Sequence, residues 1–343
     1  MSRMKTKSGI IIPDNPDRRR FLRYSGAGIA AALLPGKAEA ANFFMKRFLA
    51  RPPKKPSFIT SNEDFYLVQY AGFQKVNVNN WSLQIRGKVR KPLRFTYNDI
   101  LKRPSVEKMV TLQCIENEPA GEQISNAVWT GVPLKSLIEE AMPRSSVQDV
   151  AMFGADDYSD SITLERAMNY DVFLAYAMNG KQLPMKHGFP LRAVVPGIYG
   201  IKNVKWLQKI ELVDYDYKGY WQKKSWSDDG TIKVTSRIDD PGDYNTLTGD
   251  YTLRGLAFSG YNGIRTVELT FDGGKTWEPT KLLPTPSPYS WVFWEYEWKR
   301  PKPRSYQITS RAVDNIGRIQ TDFNARAFPS GTSGLHSVIT FVD

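Results

Sequence analysis

The feature that most limits how this chain can fold is a change of pattern at Pro241. Beyond it only strand signals occur. Residues 251–258, 289–298 and 306–314 read as strands, and 266–271 and 276–277 flank Asp272-Gly-Gly-Lys275, a hairpin turn. Regularly spaced strands of this kind predict an all-β immunoglobulin-like sandwich over residues 241–343. Before Pro241 the pattern is mixed. Residues 81–87 alternate as a strand, 97–101 start a short helix, and 147–153, 191–195 and 204–213 read as strands. Residues 161–168 pass from strand to helix. Short strands mixed with short helices predict an α+β domain over residues 62–240, joined through 214–240 to the second. A chain of 343 residues has room for both cores.

Within the first domain, residues 109–134 hold Cys114, the only cysteine. Met109-Val-Thr-Leu-Gln-Cys114 reads as a strand entering a polar loop, and a helix is expected from Pro133. A thiol at a strand end can bind a soft metal as thiolate. A lone cysteine is also, more simply, a small buried hydrophobe.

Two further blocks favour the metal. One is Leu174-Ala-Tyr-Ala-Met-Asn-Gly-Lys-Gln-Leu-Pro-Met-Lys-His187-Gly-Phe-Pro-Leu-Arg192; the other runs from Val194-Val-Pro-Gly to Lys202-Asn-Val-Lys205-Trp206. With the Cys114 stretch, these resemble the sulfite oxidase family, in which a cysteine binds the molybdenum of a pyranopterin. The pieces Asn262–Trp277 and Arg311-Ala-Val-Asp-Asn-Ile-Gly317 resemble that family's C-terminal, dimerising domain.

The resemblance implies roles for named residues. Cys114 is the expected metal ligand; Asn117, Glu118 and Trp226 are expected beside the reaction. Tyr70, His187, Arg192, Lys202, Asn203 and Lys205 are expected to bind the cofactor. Arginine offers a planar fork to phosphate and lysine a point charge. Gly188, Gly197 and Gly200 would let backbones approach closely. The implied chemistry is oxygen-atom transfer on a small-molecule substrate, with the cofactor carrying the reaction. A single cysteine excludes a C-x-x-C-H haem attachment, and His187 and His336 are the only histidines, so no haem is expected in this chain. A separate cytochrome or membrane haem protein would then take the electrons.

The N-terminus reads as an export signal. Asp17-Arg-Arg-Arg-Phe-Leu-Arg23 resembles a twin-arginine motif with Arg18 and Arg19 as the pair. A weakly apolar run and Ala38-Glu-Ala40 follow, so residues 1–40 predict twin-arginine export to the periplasm. In the 41–61 linker, residues 43–49 gather apolar side chains on one helical face, suited to the body or a membrane surface, and Arg51-Pro-Pro-Lys-Lys-Pro56 is stiff.

The net charge is +12; residues 1–40 carry eight Lys/Arg and three Asp/Glu, so +7 remains without them. Lys and Arg are spread along the chain with no nucleic-acid motif, which argues against that partner. The substrate signal is local. Sulfite oxidases surround their small anion with arginines; here Ile115-Glu-Asn-Glu118-Pro119 follows the cysteine, Val68 takes an arginine's place and Trp226 a tyrosine's. A unit charge at 5 Å is worth about 3 kcal/mol at an effective dielectric near 20. The expected substrate is therefore a sulfur compound other than free sulfite, unless Lys223 or Lys224 supplies the missing charge. A sulfite dehydrogenase proper, a sulfoxide or N-oxide reductase, and an exported binding protein without cofactor are the alternatives.

Overall fold

The computed structural model describes residues 52–299 and 301–343. The expected export signal and the 43–49 helix lie outside the described residues. The described chain is mostly β, arranged as four sheets. Only three α-helices occur among the described residues: Tyr97–Leu101, Leu134–Ala141 and Leu164–Ala167. The expected α+β domain thus carries less helix than its mixed pattern suggests. Its apolar runs are short and β-branched, and they pair as strands.

Two sheets build the first unit. One orders its strands Leu93–Thr96, Ser82–Gly87, Leu207–Val213, Asp149–Gly154 and Ser159–Thr163. The other orders Val106–Gln113, Ile124–Pro133, Phe173–Met178 and Lys181–Gln182, with Arg192–Val194 paired to Phe173–Met178. Alternation places Leu83 and Ile85 inward, where they meet Val150, Ile210 and the helix residues Leu137 and Ile138. Trp129, Phe173 and Val110 fill a second cluster on the other side. The helix expected from Pro133 begins one residue later, because the strand Ile124–Pro133 runs through Trp129 to its edge.

The second unit also has two sheets. Thr235–Asp240, Tyr251–Phe258, Val292–Trp298 and Lys281–Leu282 form one; Thr246–Leu247, His336–Val342, Arg304–Asp314, Ile264–Thr270 and Glu278–Pro279 form the other. Leu253 and Trp294 of the first sheet share one core with Val267, Ile308 and Val338 of the second. The strand Thr235–Asp240 precedes the expected boundary at 240/241 yet pairs with Tyr251–Phe258. The predicted hairpin turn forms: Gly273 and Gly274 take φ of +76° and +89°, and Asp272 Oδ1 accepts from the N–H groups of Lys275 and Thr276, both at 3.0 Å.

A fourth apolar cluster joins the units. Ile115, Ile124 and Tyr199 of the first pack with Leu256, Phe258 and Trp291 of the second. The 52–61 segment, expected as a linker, is fastened into the same seam. The Phe58 carbonyl accepts from Asn126 Nδ2 at 2.8 Å and from Trp291 Nε1 at 3.1 Å.

Candidate active site

Cys114 sits where the strand Val106–Gln113 ends. Its N–H donates to Gln123 O at 2.9 Å, and its carbonyl accepts from Asn117 N at 3.1 Å, so the turn closes on itself. Asn117 is buried and its Oδ1 accepts from Gln123 N at 2.9 Å. This side chain staples the loop and does not line the cavity beside Cys114. Glu116 and Glu118 are exposed, and Glu118 does not line the cavity either. Burial pushes the Cys114 thiol up to about 12; the Glu116 backbone N–H opposes this and the Glu116 carboxylate adds to it. Left alone, such a thiol stays protonated at neutral pH. A metal cation at Sγ would deprotonate it outright.

One cavity is lined both by Cys114 and by a group of cationic side chains. Tyr66, Tyr158 and Trp221 are among its walls, as is the exposed Tyr70, whose ring is tilted 56° against Tyr220 with centroids 4.2 Å apart. Gly200 makes the close approach its sequence context predicted: a Cβ there would lie 2.7 Å from the Tyr66 hydroxyl. Gly197 instead abuts the Tyr261 ring of the second unit.

His187, Arg192, Asn203 and Lys205 all line the cavity. His187 closes a 3-10 turn, Met185–His187, followed by Gly188 at φ +115°. A Cβ at Gly188 would stand 3.1 Å from the Cβ atoms of both Arg192 and Lys205, so glycine lets the three segments converge. His187 Nε2 donates to the Asn62 carbonyl at 2.8 Å, which leaves Nδ1 as the acceptor of a neutral ring. Burial, reinforced by the nearby Arg192 and Lys205 charges, holds its pKa down to about 4. Arg192 is 5% exposed and donates to the carbonyls of His187 at 3.0 Å and Asn203 at 3.4 Å. No carboxylate lies within ion-pair distance of it among the described residues. Burial brings it down to about 10, so it stays charged at neutral pH. Lys205 donates from Nζ to Val68 O at 3.1 Å; burial and the Arg192 charge push it to about 7. Asn203 is braced through its Oδ1 to Val195 N at 2.8 Å.

Besides Asn117 and Glu118, two more expected residues lie outside the cavity lining. Lys202 points away from the cavity and is held between Asp160 at 3.0 Å and Asp228 at 2.6 Å. Trp226 stands behind Trp221, with ring centroids 5.8 Å apart, and it is Trp221 that reaches the cavity. Sequence reasoning missed Tyr66, Asp156 and Tyr158. They sit on segments outside the three motif blocks, and only the fold brings them to the cavity.

A buried guanidinium without a carboxylate costs free energy unless an anion meets it. Arg192 and Lys205, with backbone brought close by Gly188, fit a phosphate. Cys114 in the same cavity fits a soft metal. The donor set therefore suits a metal-bearing cofactor with an anionic tail.

Residues 70–221 match the oxidoreductase molybdopterin binding domain, and residues 230–330 match the Mo-co oxidoreductase dimerisation domain. The chain belongs to the sulfite oxidase family of molybdopterin-dependent oxidoreductases. It is 30% identical over 330 residues to mitochondrial sulfite oxidase of Homo sapiens, covering 80% of this chain and 60% of that one. It is 29% identical over 305 residues to nitrate reductase [NADH] 1 of Arabidopsis thaliana, covering 70% of this chain but 33% of the relative. This family member thus spans only part of the curated relatives' length. The crystal structure of the sulfane dehydrogenase SoxCD from Paracoccus pantotrophus is similar with a TM-score of 0.73, at 25% identity and 84% coverage of both chains.

Proposed function

We propose that this family member is a periplasmic oxidoreductase that transfers an oxygen atom on a sulfur compound other than free sulfite, exchanging electrons with a separate haem protein. The observation that carries the reading is one cavity lined by both a buried thiol and a buried guanidinium that no carboxylate pairs among the described residues. Cys114 would hold the metal; Arg192, Lys205, His187 and Asn203 would hold the anionic tail. When bound, the molybdenum pterin supplies two-electron oxygen-atom transfer at a lone-pair donor. The chain's own part is to orient both partners and to keep water out, with Tyr66, Tyr158 and Trp221 forming the wall.

The substrate class rests on missing charge. Val68 lies in the cavity wall, and no arginine follows Cys114 in its loop. Glu116 and Glu118 point to solvent, so their repulsion is screened and the lost arginine attraction, about 3 kcal/mol each, carries the argument. Lys223 and Lys224 do not restore it: both are exposed, and neither lines the cavity. The likeness to a protein named a sulfane dehydrogenase supports sulfur chemistry beyond sulfite. The order of Arg18-Arg19, apolar run and Ala38-Glu-Ala40 supports twin-arginine export. Two sheets sharing one core, with the dimerisation-domain match, support an immunoglobulin-like unit that pairs with a second copy.

Steady-state turnover of the cofactor-loaded protein with a dye acceptor, across sulfite, thiosulfate, organic sulfides and sulfoxides, tests this. Turnover of a compound other than sulfite is expected. A sulfite kcat/KM of about 10⁴ M⁻¹s⁻¹ or above would contradict the substrate reading.

A further inference from the structure

The loop that carries Cys114 is fastened from outside its own unit. Arg237, on the strand Thr235–Asp240, donates from Nη1 to the Gly121 carbonyl at 2.8 Å. Its guanidinium is buried and preset by Asp239, Nε to Oδ1 at 2.7 Å. Thr332 donates its hydroxyl to the Asn117 carbonyl. Lys54 donates to the Ala120 carbonyl at 3.2 Å. Three carbonyls of one short turn thus take their donors from the second unit or the N-terminal segment.

The same stretch of the second unit also holds the aromatic wall. Ser227 N donates to Pro329 O at 3.0 Å, and the Phe328 ring meets Trp226 at 5.5 Å. Trp226 in turn backs Trp221, which lines the cavity. A seam that only joined two units would need apolar burial, which Ile115 and its cluster already provide. Donors aimed at three carbonyls of one turn do something apolar contact does not: they fix the orientation of the turn that follows the thiol.

We propose that the second unit positions the Cys114 thiol, with Arg237 and Thr332 as positioning residues for the 114–123 loop. A unit matched to a dimerisation domain is then also part of the active-site scaffold. The consequence for turnover rests on Cys114 being the metal ligand; the fastening of the loop does not.

The test is amide hydrogen exchange of the purified full-length protein, read on peptides covering 109–123, for Thr332→Val and Arg237→Lys. Glu268→Gln is the comparison, since it breaks the Glu268–Arg311 pair at 2.7 Å elsewhere in the second unit. Exchange in the 114–123 loop should rise about fivefold or more in Thr332→Val. It should rise further in Arg237→Lys, whose ammonium lacks the planar fork that aims Nε at Asp239 and Nη1 at Gly121. In both variants kcat should fall with KM unchanged, and Glu268→Gln should alter neither reading. Loop exchange equal to wild type in both variants overturns the proposal. Equal acceleration in Glu268→Gln overturns it too, because the effect is then general loosening. Faster loop exchange with an unaltered kcat refutes the positioning role. A wild-type protein without oxygen-transfer activity defeats the functional reading instead, and loop exchange still decides the fastening.

Discussion

Lys202→Met should lower stability sharply and in a pH-dependent way. Lys202 is 3% exposed and its Nζ lies 3.0 Å from Asp160 and 2.6 Å from Asp228. Asp228 is partly exposed and keeps Lys218 at 2.6 Å, so it loses little. Asp160 is fully buried and would keep the Ser161 N–H at 2.8 Å and only a share of the Tyr158 hydroxyl, which is 3.3 Å away and closer, at 2.7 Å, to the Ile201 carbonyl. Breaking a buried pair by removing one partner costs about 3–5 kcal/mol, and the lower end suits a carboxylate that keeps one backbone donor and part of a hydroxyl. At about 2–4 °C per kcal/mol, that is roughly 6–12 °C in Tm by calorimetry. Burial already holds the Asp160 carboxyl above its ordinary value with Lys202 present, and losing the ammonium raises it further. A folded-state carboxyl pKa above the unfolded one destabilises fully above the raised pKa, and the cost fades as pH falls through it. The Tm deficit should therefore be larger at about pH 8 than at about pH 5, and adding Asp160→Asn should recover most of it. A deficit under about 2 °C that does not vary with pH would refute the reasoning.

Other outcomes follow from the same structure. Cys114→Ser should fold, with a Tm near wild type, and show no oxygen-transfer turnover with any compound of the panel. Changing Arg18 and Arg19 to Lys should leave full-length precursor in the cytoplasmic fraction on immunoblotting, where wild type yields the mature form outside it. Light scattering should give the mass of a dimer at micromolar concentration, and a mass of one chain at every concentration would reject pairing of the second unit.

Much of the fold was legible because its periodicities are local. Tyr251–Phe258 and Tyr97–Leu101 fall on the predicted bounds, the latter fixed by the Thr96–Asp99 capping box. His187, Arg192, Asn203 and Lys205 reach one cavity because tight turns join them within a short stretch. What failed depended on direction and on distant chain. Lys202 and Asn203 are adjacent, yet the 3-10 turn Gly200–Lys202 sends one side chain to Asp160 and keeps the other at the cavity. Glu118 and Trp226 follow motif positions, but the loops carrying them are set by Thr332 and Phe328, over a hundred residues further on. Tyr66 and Tyr158 carry no periodic or motif signal. The strand His336–Val342, not among the predicted strands although Val338-Ile-Thr-Phe-Val342 is β-branched and aromatic, pairs with Arg304–Asp314.

The central claim is that this cavity holds a molybdenum pterin through Cys114. The most direct measurement is the molybdenum content of the purified mature protein by plasma mass spectrometry, with Arg192→Met measured alongside. The structure predicts close to one molybdenum per chain in wild type and a large loss when the unpaired guanidinium is removed. Wild-type protein that purifies folded and without molybdenum, from cells that make the cofactor, would contradict it.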